Sequence, residues 1–267
     1  KAKEMGLFTI TVDKDPNALG MKHAKIALPI DIVDIPNIIN AAKEYQIDGI
    51  MTMQTDLPVP TIGAVVDELK LNGVSYQVAQ DCSNKIRTRQ LFAEKNVPQP
   101  KFFVVSDIQQ TIEAVKVMGF PCIVKAPDSS GSRGVSKVKS KDDIKHAFDE
   151  AKKYSRIGDN LVEEYIEGLE IGAQGFSIDG KCVSVLLHND TVSKPPYMIP
   201  IGHSFPIVMD DIKRVKAEKA VAVAVEALGI LNGPSNIDLI LDRNNDVKII
   251  EFGARIGATC LPELVEY

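Results

Sequence analysis

No two cysteines stand in a C-x-x-C spacing. The four present, Cys82, Cys122, Cys182 and Cys260, are far apart, which argues against a zinc ribbon or a disulfide-stapled scaffold and leaves buried free thiols. No apolar run approaches the roughly 18 residues of a membrane span, and the N-terminal residues lack the layout of a signal peptide, so a cytoplasmic protein is expected. Positive charge is not in excess either: the formal net charge is -5 and the pI about 5.5. That balance signals no nucleic-acid partner, and any cations that bind phosphate must be local. Neither G-x-x-x-x-G-K-[ST] nor G-x-G-x-x-G occurs, which removes the P-loop and the dinucleotide fingerprint. No internal repeat, low-complexity segment or biased tract is visible. What remains is an ordinary folded composition, 45% hydrophobic and 25% charged with 18 Gly and 15 Pro in 267 residues, long enough for two domains or one domain with subdomains.

Lys1 to Gly6 reads as the end of a helix stopped by glycine, with a strand following at once, and a segment upstream is expected. Strand-like runs (7–12, 25–28, 49–53) then alternate with helix-like runs (35–45, 61–71), the pattern of a parallel sheet covered by helices. Residues 1–80 are assigned to this Rossmann-like lobe. A helix over 83–96 ends at Val97-Pro98-Gln99-Pro100, where proline cannot continue it, and this marks the domain joint. Residues 81–165 then make a small α+β lobe, with strands at 102–105, 121–125 and 135–138 and helices at 108–118 and 142–154. The strand 160–165 closes that lobe, and residues 166–267 form a strand-rich one, with strands at 170–178, 181–188, 236–241 and 247–252 and a helix at 211–228. Its C-terminal end, where another helix begins near Leu261, is expected to be incomplete.

In Val124-Lys125-Ala126-Pro127-Asp128-Ser129-Ser130-Gly131-Ser132-Arg133-Gly134-Val135 a strand delivers a lysine and opens into a loop of small residues. Such a loop exposes backbone N–H groups to phosphate oxygens, with Lys125 as a fixed charge beside them; a surface hairpin between two strands has the same composition. Glu163, Glu164, Glu167 and Glu170 flank a turn at Gly168, either as part of a site or as a solvated acidic hairpin. Asp238 and Glu251 lie at similar distances from the turn 243–246 and are expected to project on one side of the sheet. Two acids among aliphatic residues suit a hard divalent cation, or an exposed pair on the solvent face. His188 and His203 are read as structural or solvated, with Gly202-His203-Ser204 a candidate substrate-side element near the loop 191–200. Arg89 shares a helix face with Lys85, and a solvated face accounts for it as well as a site does.

The ordered set Asn84-Lys85, Pro98-x-Pro100, Gly119-Phe120-Pro121, Val124-Lys125, Ser129–Val135, Glu163-Glu164-Tyr165-Ile166, Glu170, Asp238 and Glu251-x-Gly253-x-Arg255 resembles the ATP-grasp superfamily over nearly the whole chain. Within it, the chain is most similar to carboxylate-amine ligases such as amino-acid ligases, and more distantly to biotin carboxylase and the purine-pathway carboxylases. The resemblance implies an ATP-grasp fold, α/β and α+β, preceded by a Rossmann-like parallel-sheet lobe whose first strand lies upstream. It implies an ADP-forming ligase using ATP and Mg2+ or Mn2+, acting on a small-molecule carboxylate and an amine, with a homodimer as the common assembly. The alternatives are a bicarbonate-activating carboxylase and a nucleotide-binding regulatory protein with little turnover.

Residue by residue, the resemblance gives Lys85 and Lys125 to the α- and β-phosphates. Ser129, Ser130, Gly131, Ser132, Arg133, Gly134 and Val135 match the loop that closes over the γ-phosphate. Glu163, Glu164, Tyr165 and Ile166 match the segment that reads adenine, largely through backbone groups, and Glu170 matches the acid on the ribose hydroxyls. Asp238 and Glu251 match metal ligands, and Arg255 matches the arginine that steadies the transferring phosphoryl group. One position departs from the pattern: Gly253 stands where many members carry an asparagine that completes the metal shell.

Overall fold

The computed structural model describes residues 1–192, 200–258, 261 and 264. Two short apolar strands, β1 (Ile10–Val12) and β2 (Ile26–Leu28), pair in parallel with Ile10 beside Ile26. Helix α1 (Ile35–Glu44) starts where Asp34 accepts the Asn37 N–H, and α2 (Val59–Leu69) packs beside it. Together they enclose a small core of Ile38, Ala42 and Val65, with Val12 and Ile30 against it. The strand expected at 49–53 does not form. Met53 makes an isolated parallel bridge to Ile256 and Gln54 N–H donates to the Ile256 carbonyl at 3.3 Å, so this segment leaves its own sheet to dock on a distant loop. Lys1–Gly6 is a turn rather than regular helix, but it has the hydrogen bonds of a helix end: Leu7 N–H to Ala2 O and Gly6 N–H to Lys3 O, with Gly6 at φ +71°.

The helix expected over 83–96 forms as a single helix over 85–94, and a further short helix that was not expected precedes it. In α3 (Tyr76–Cys82) the Ser75 hydroxyl caps the start, and in α4 (Lys85–Glu94) the Asn84 side chain accepts the Ile86 N–H at 2.9 Å. Asparagine is a strong helix initiator at this position, which is why α4 begins at Lys85. Next come β3 (Phe102–Val105), α5 (Ile108–Met118), β4 (Cys122–Lys125), β5 (Val135–Val138), α6 (Ile144–Tyr154) and β6 (Asn160–Glu164). The strands form an antiparallel sheet ordered β3-β6-β4-β5. Helices α5 and α6 cover it, burying Val105, Val115, Val124, Val138, Ala147 and Val162.

The remaining elements are β7 (Gly168–Ile178), β8 (Lys181–Val192), β9 (Pro200–Ser204), α7 (Asp211–Ala227), β10 (Gly233–Asp242) and β11 (Val247–Gly253). They build an antiparallel sheet ordered β11-β10-β7-β8-β9. Alternation along β10 sends Ile237, Leu239 and Leu241 into a core shared with Ala217, Val221 and Ala224 of α7, and sends Asn236, Asp238 and Ile240 to the opposite face. Ala79, Phe92 and Val97 join this same core, with the Phe92 and Phe252 rings edge to face at 6.4 Å. By packing, then, α3 and α4 go with the five-stranded sheet. Strand β8 runs past His188 to Val192, and β9 was not expected; residues 193–199 of the expected loop 191–200 lie outside the described residues, as does Cys260. Cys82, Cys122 and Cys182 are free thiols, two of them buried. No described helix is long and apolar enough to cross a membrane.

Candidate active site

Two lysines converge on the groove between the two larger sheets. Lys85, the first residue of α4, donates its backbone N–H to Pro127 O at 2.8 Å. Its Nζ donates to Ser129 O at 2.6 Å and lies 3.0 Å from Glu251 Oε1. It thereby links the base of the small-residue loop to the last strand of the large sheet. Lys125, at the end of β4, is buried with Nζ 2.7 Å from Glu163 Oε2. Burial pushes its ammonium below the ordinary lysine range; Glu163 opposes that shift, while Arg89 and Lys85 add to it.

Glu163 is the centre of a buried charge cluster. Arg89 Nε approaches Glu163 Oε1 at 2.7 Å, and the same guanidinium donates to Ile249 O at 2.9 Å and Ile250 O at 2.6 Å. Burial works to raise the Glu163 carboxyl, but Arg89 and then Lys125 bring it down to about 2. Arg89 is therefore not on a solvated helix face: at 2% exposed it is one of the most buried charged groups. Two buried cations share one buried anion, so the cluster carries a net positive charge. The Glu163 backbone lies inside the sheet, paired with both Phe102 and Ile123. Glu164 accepts the Lys101 N–H, and the chain leaves the strand at Tyr165 and Ile166, where Lys137 Nζ sits 3.4 Å from the centre of the Tyr165 ring.

The loop between β4 and β5 turns through Gly131, Ser132 and Gly134, at φ +66°, +59° and +68°. Ala126 N–H closes its base onto Gly134 O at 2.9 Å, and Arg133 donates to Ser130 O at 3.0 Å from an exposed position. Gly134 cannot take a side chain without meeting Tyr154 at 2.9 Å.

Asp238 and Glu251 are direct cross-strand partners on β10 and β11, so their side chains share a face, as expected from their distances to the turn. A register shift follows Asp238. Burial and then Glu251 raise the Asp238 carboxyl well above the carboxylate range, with Asp190 and Glu170 adding and Arg255 opposing. Burial also works against the Glu251 charge, yet Lys85 and Lys125 hold that carboxyl low. The Glu251 side chain is 44% exposed toward the groove, so water screens part of these effects. Glu170, opposite Ile240 on β7, shares this face at an exposed position; partial burial and Asp190 raise its carboxyl. The chemistry of this pair, two carboxylates offering oxygen donors from one face, fits a hard dication.

Arg255 meets a residue that sequence reasoning missed. Its NH2 donates to Asp56 Oδ2 at 2.8 Å and its Nε lies 2.8 Å from Oδ1, although the Nε–H is not aimed along that line. A Cβ on Gly253 would stand 2.8 Å from Asp56 Oδ1 and 3.2 Å from Arg255 Cζ. The Asp56–Arg255 pair thus fills the space an asparagine at 253 would need. Nothing in the segment around Asp56 signals this contact, because the partner is 199 residues away. Likewise His188 and His203, read separately, are neighbours around Asp190.

A family model described as "ATP-grasp domain" matches residues 118–263, more than half of the chain. The carbamoyl phosphate synthase large chain of Clostridium acetobutylicum is 26% identical across 96% of this chain and 24% of the relative. Alanine–anticapsin ligase of Bacillus subtilis is 22% identical across 98% of this chain and 60% of the relative. The crystal structure of phosphoribosylglycinamide synthetase from Anaerococcus prevotii superposes with a TM-score of 0.80 at 31% identity, covering 99% of this chain and 66% of that one. The chain therefore spans between a quarter and two thirds of the proteins it matches.

Proposed function

The chain belongs to the ATP-grasp family, and from that premise we propose that it is an ADP-forming ligase joining a small carboxylate to an amine. The observation that carries the proposal is the meeting of Lys85 with both Ser129 O and Glu251, which supports reading the cations beside the loop and the acids on the last strands as parts of one site. Lys85 and Lys125 hold the α- and β-phosphates, the excess positive charge around Glu163 being suited to a buried anion. The loop 129–135 closes over the γ-phosphate and excludes water. The backbone from Glu164 to Ile166 reads adenine, the Glu163 carboxylate serving beneath Lys125 rather than at the base, and Glu170 takes the ribose hydroxyls.

Asp238 and Glu251 would hold a magnesium ion, which supplies charge neutralisation on the phosphates. Arg255, steadied by Asp56, faces the charge that develops as the γ-phosphoryl passes to the substrate carboxylate. The β–γ bond of ATP breaks, an acyl phosphate forms, and the amine then attacks the carbonyl carbon and expels phosphate. Similarity to carbamoyl phosphate synthase supports a second reading, in which bicarbonate is the acid. A matrix of carboxylates, including bicarbonate, against amines, scored for ADP and phosphate, separates the two. Release of AMP and pyrophosphate in place of ADP would sink both.

A further inference from the structure

We propose that His188, Asp190 and His203 form a site for a first-row transition-metal dication of the zinc or cobalt class, separate from the Asp238–Glu251 pair. The sheet itself assembles the site. His188 and Asp190 are two residues apart on β8 and so share a face, and His203 on β9 is the cross-strand partner of Asp190. His188 Nδ1 lies 2.8 Å from Asp190 Oδ1, and His203 Nδ1 lies 2.5 Å from the same oxygen. The two rings stand edge to face with centres 5.1 Å apart, and one donor atom from each of the three residues falls within 4.8 Å of the others. The side chains are only 2%, 12% and 7% exposed in chain order, so the donors are held rather than free to drift.

A missing side chain makes room for this cluster. His188 pairs with Gly172 on β7, and a Cβ there would come within 1.9 Å of the imidazole Cε1. Behind the ring, Gln174 Nε2 stands 3.3 Å from His188 Nε2 and is itself held by Asn236 Oδ1 at 2.7 Å, while its Oε1 accepts the Gly257 N–H at 3.0 Å. Ligation through Nδ1 puts the His188 proton on Nε2, where the Gln174 amide, turned about its last torsion together with that of Asn236, can accept it at the expense of the Gly257 contact.

The donor set decides the ion. Two imidazoles and one carboxylate suit zinc, cobalt, nickel or iron, whereas magnesium takes oxygen. Three protein donors leave coordination positions open to solvent or a ligand. Gly172 separates His188 from Asp238 along one row of the sheet. His188 and Asp238 are two strands apart, about 10 Å between backbones at about 4.8 Å per strand, with the imidazole reaching back over Gly172; the two donor sets share no residue, and Mg2+ competition and Asp238→Asn distinguish them.

The site is tested by titrating metal-free protein with Co2+ and following its visible ligand-field absorption. One equivalent is expected to bind, with a band that survives excess Mg2+ and the Asp238→Asn substitution. Affinity is expected to fall by at least about 100-fold in His203→Gln and in Asp190→Asn, each checked for native circular dichroism. The competition with Mg2+ needs no variant, so a misfolded mutant leaves the question decidable. The proposal is overturned if the wild-type chain gives no such band, if excess Mg2+ or Asp238→Asn abolishes it, or if folded His203→Gln and Asp190→Asn keep it. A failure here leaves the ligase reading intact, since that rests on Lys85, Asp238 and Glu251.

Discussion

Replacing Glu163 by glutamine removes one negative charge from between two buried cations while keeping the shape of the side chain. The Glu163, Arg89 and Lys125 side chains are 3%, 3% and 6% exposed. Folding takes the Glu163 carboxyl from its usual 4.5 to about 2, and a shift of that size corresponds to about 3 kcal/mol. Stranding a buried partner charge costs about 3–5 kcal/mol, the same range. Lys125 can limit its share by losing its proton, but Arg89 cannot, so the penalty falls on the guanidinium. Urea unfolding at neutral pH should therefore show Glu163→Gln less stable by about 3 kcal/mol with an unchanged m-value. The acid limb supplies a second reading. Because the folded pKa is depressed, the stabilisation is present above about pH 4.5 and lost as pH falls toward 2, so the variant should lack that part of the wild-type acid dependence. A loss below about 1 kcal/mol, or an identical acid limb, refutes the view that this carboxylate holds the two cations.

Lys85→Met should cost some stability, since it removes the partner of Glu251 and Ser129 O, and should weaken ATP binding of the folded variant about tenfold or more by calorimetry; equal affinity contradicts its phosphate role. Asp238 has a raised carboxyl, so its contribution to stability is complete below its unfolded value near 3.8 and is lost as pH rises through the folded value. Metal-free Asp238→Asn should therefore melt about 2–4 °C higher than wild type at pH 8 and need far more Mg2+ for turnover; a lower melting point contradicts the like-charge account. Gly253→Asn should push Asp56 off Arg255 and lower both stability and turnover, and adding Asp56→Ala should recover the stability. If Gly253→Asn alone is neutral, the space beside Gly253 is not filled as described.

The features legible in the sequence were those encoded locally. Strand 102–105, helix 108–118 and strand 135–138 match their expected bounds because the aromatic and β-branched residues of the strands, the Asp107 cap and the Gly119 stop all lie close along the chain. The shared face of Asp238 and Glu251 followed from counting to one turn. What the sequence did not reveal depends on pairing across long separations. Arg89 looked like any basic residue on a helix until Glu163 and the Ile249 and Ile250 carbonyls closed around it. Asp56 and Asp190 had no local motif, and β9 becomes a strand only beside β8. The segment 49–53 shows the converse: its composition favours a strand, but its neighbour in space is Ile256 rather than β1 or β2.

The buried Arg89–Glu163 contact also has a consequence for any relative motion of the two sheets. Arg89 belongs to α4, which packs on the five-stranded sheet and grips the β11 carbonyls, whereas Glu163 sits in the middle of the four-stranded one. A desolvated ion pair resists separation far more than it resists turning, so relative motion of the sheets is expected to be rotation about this point, like a door on a pin, with the more exposed Lys85 contacts to Pro127 and Ser129 giving way first. Lys125, hydrogen-bonded at the pin, would barely shift, while the loop tip at Gly131, far along the lever, would sweep widely. On the proposed reading, a single swing would open the groove for nucleotide exchange without dismantling the Arg89–Glu163–Lys125 cluster.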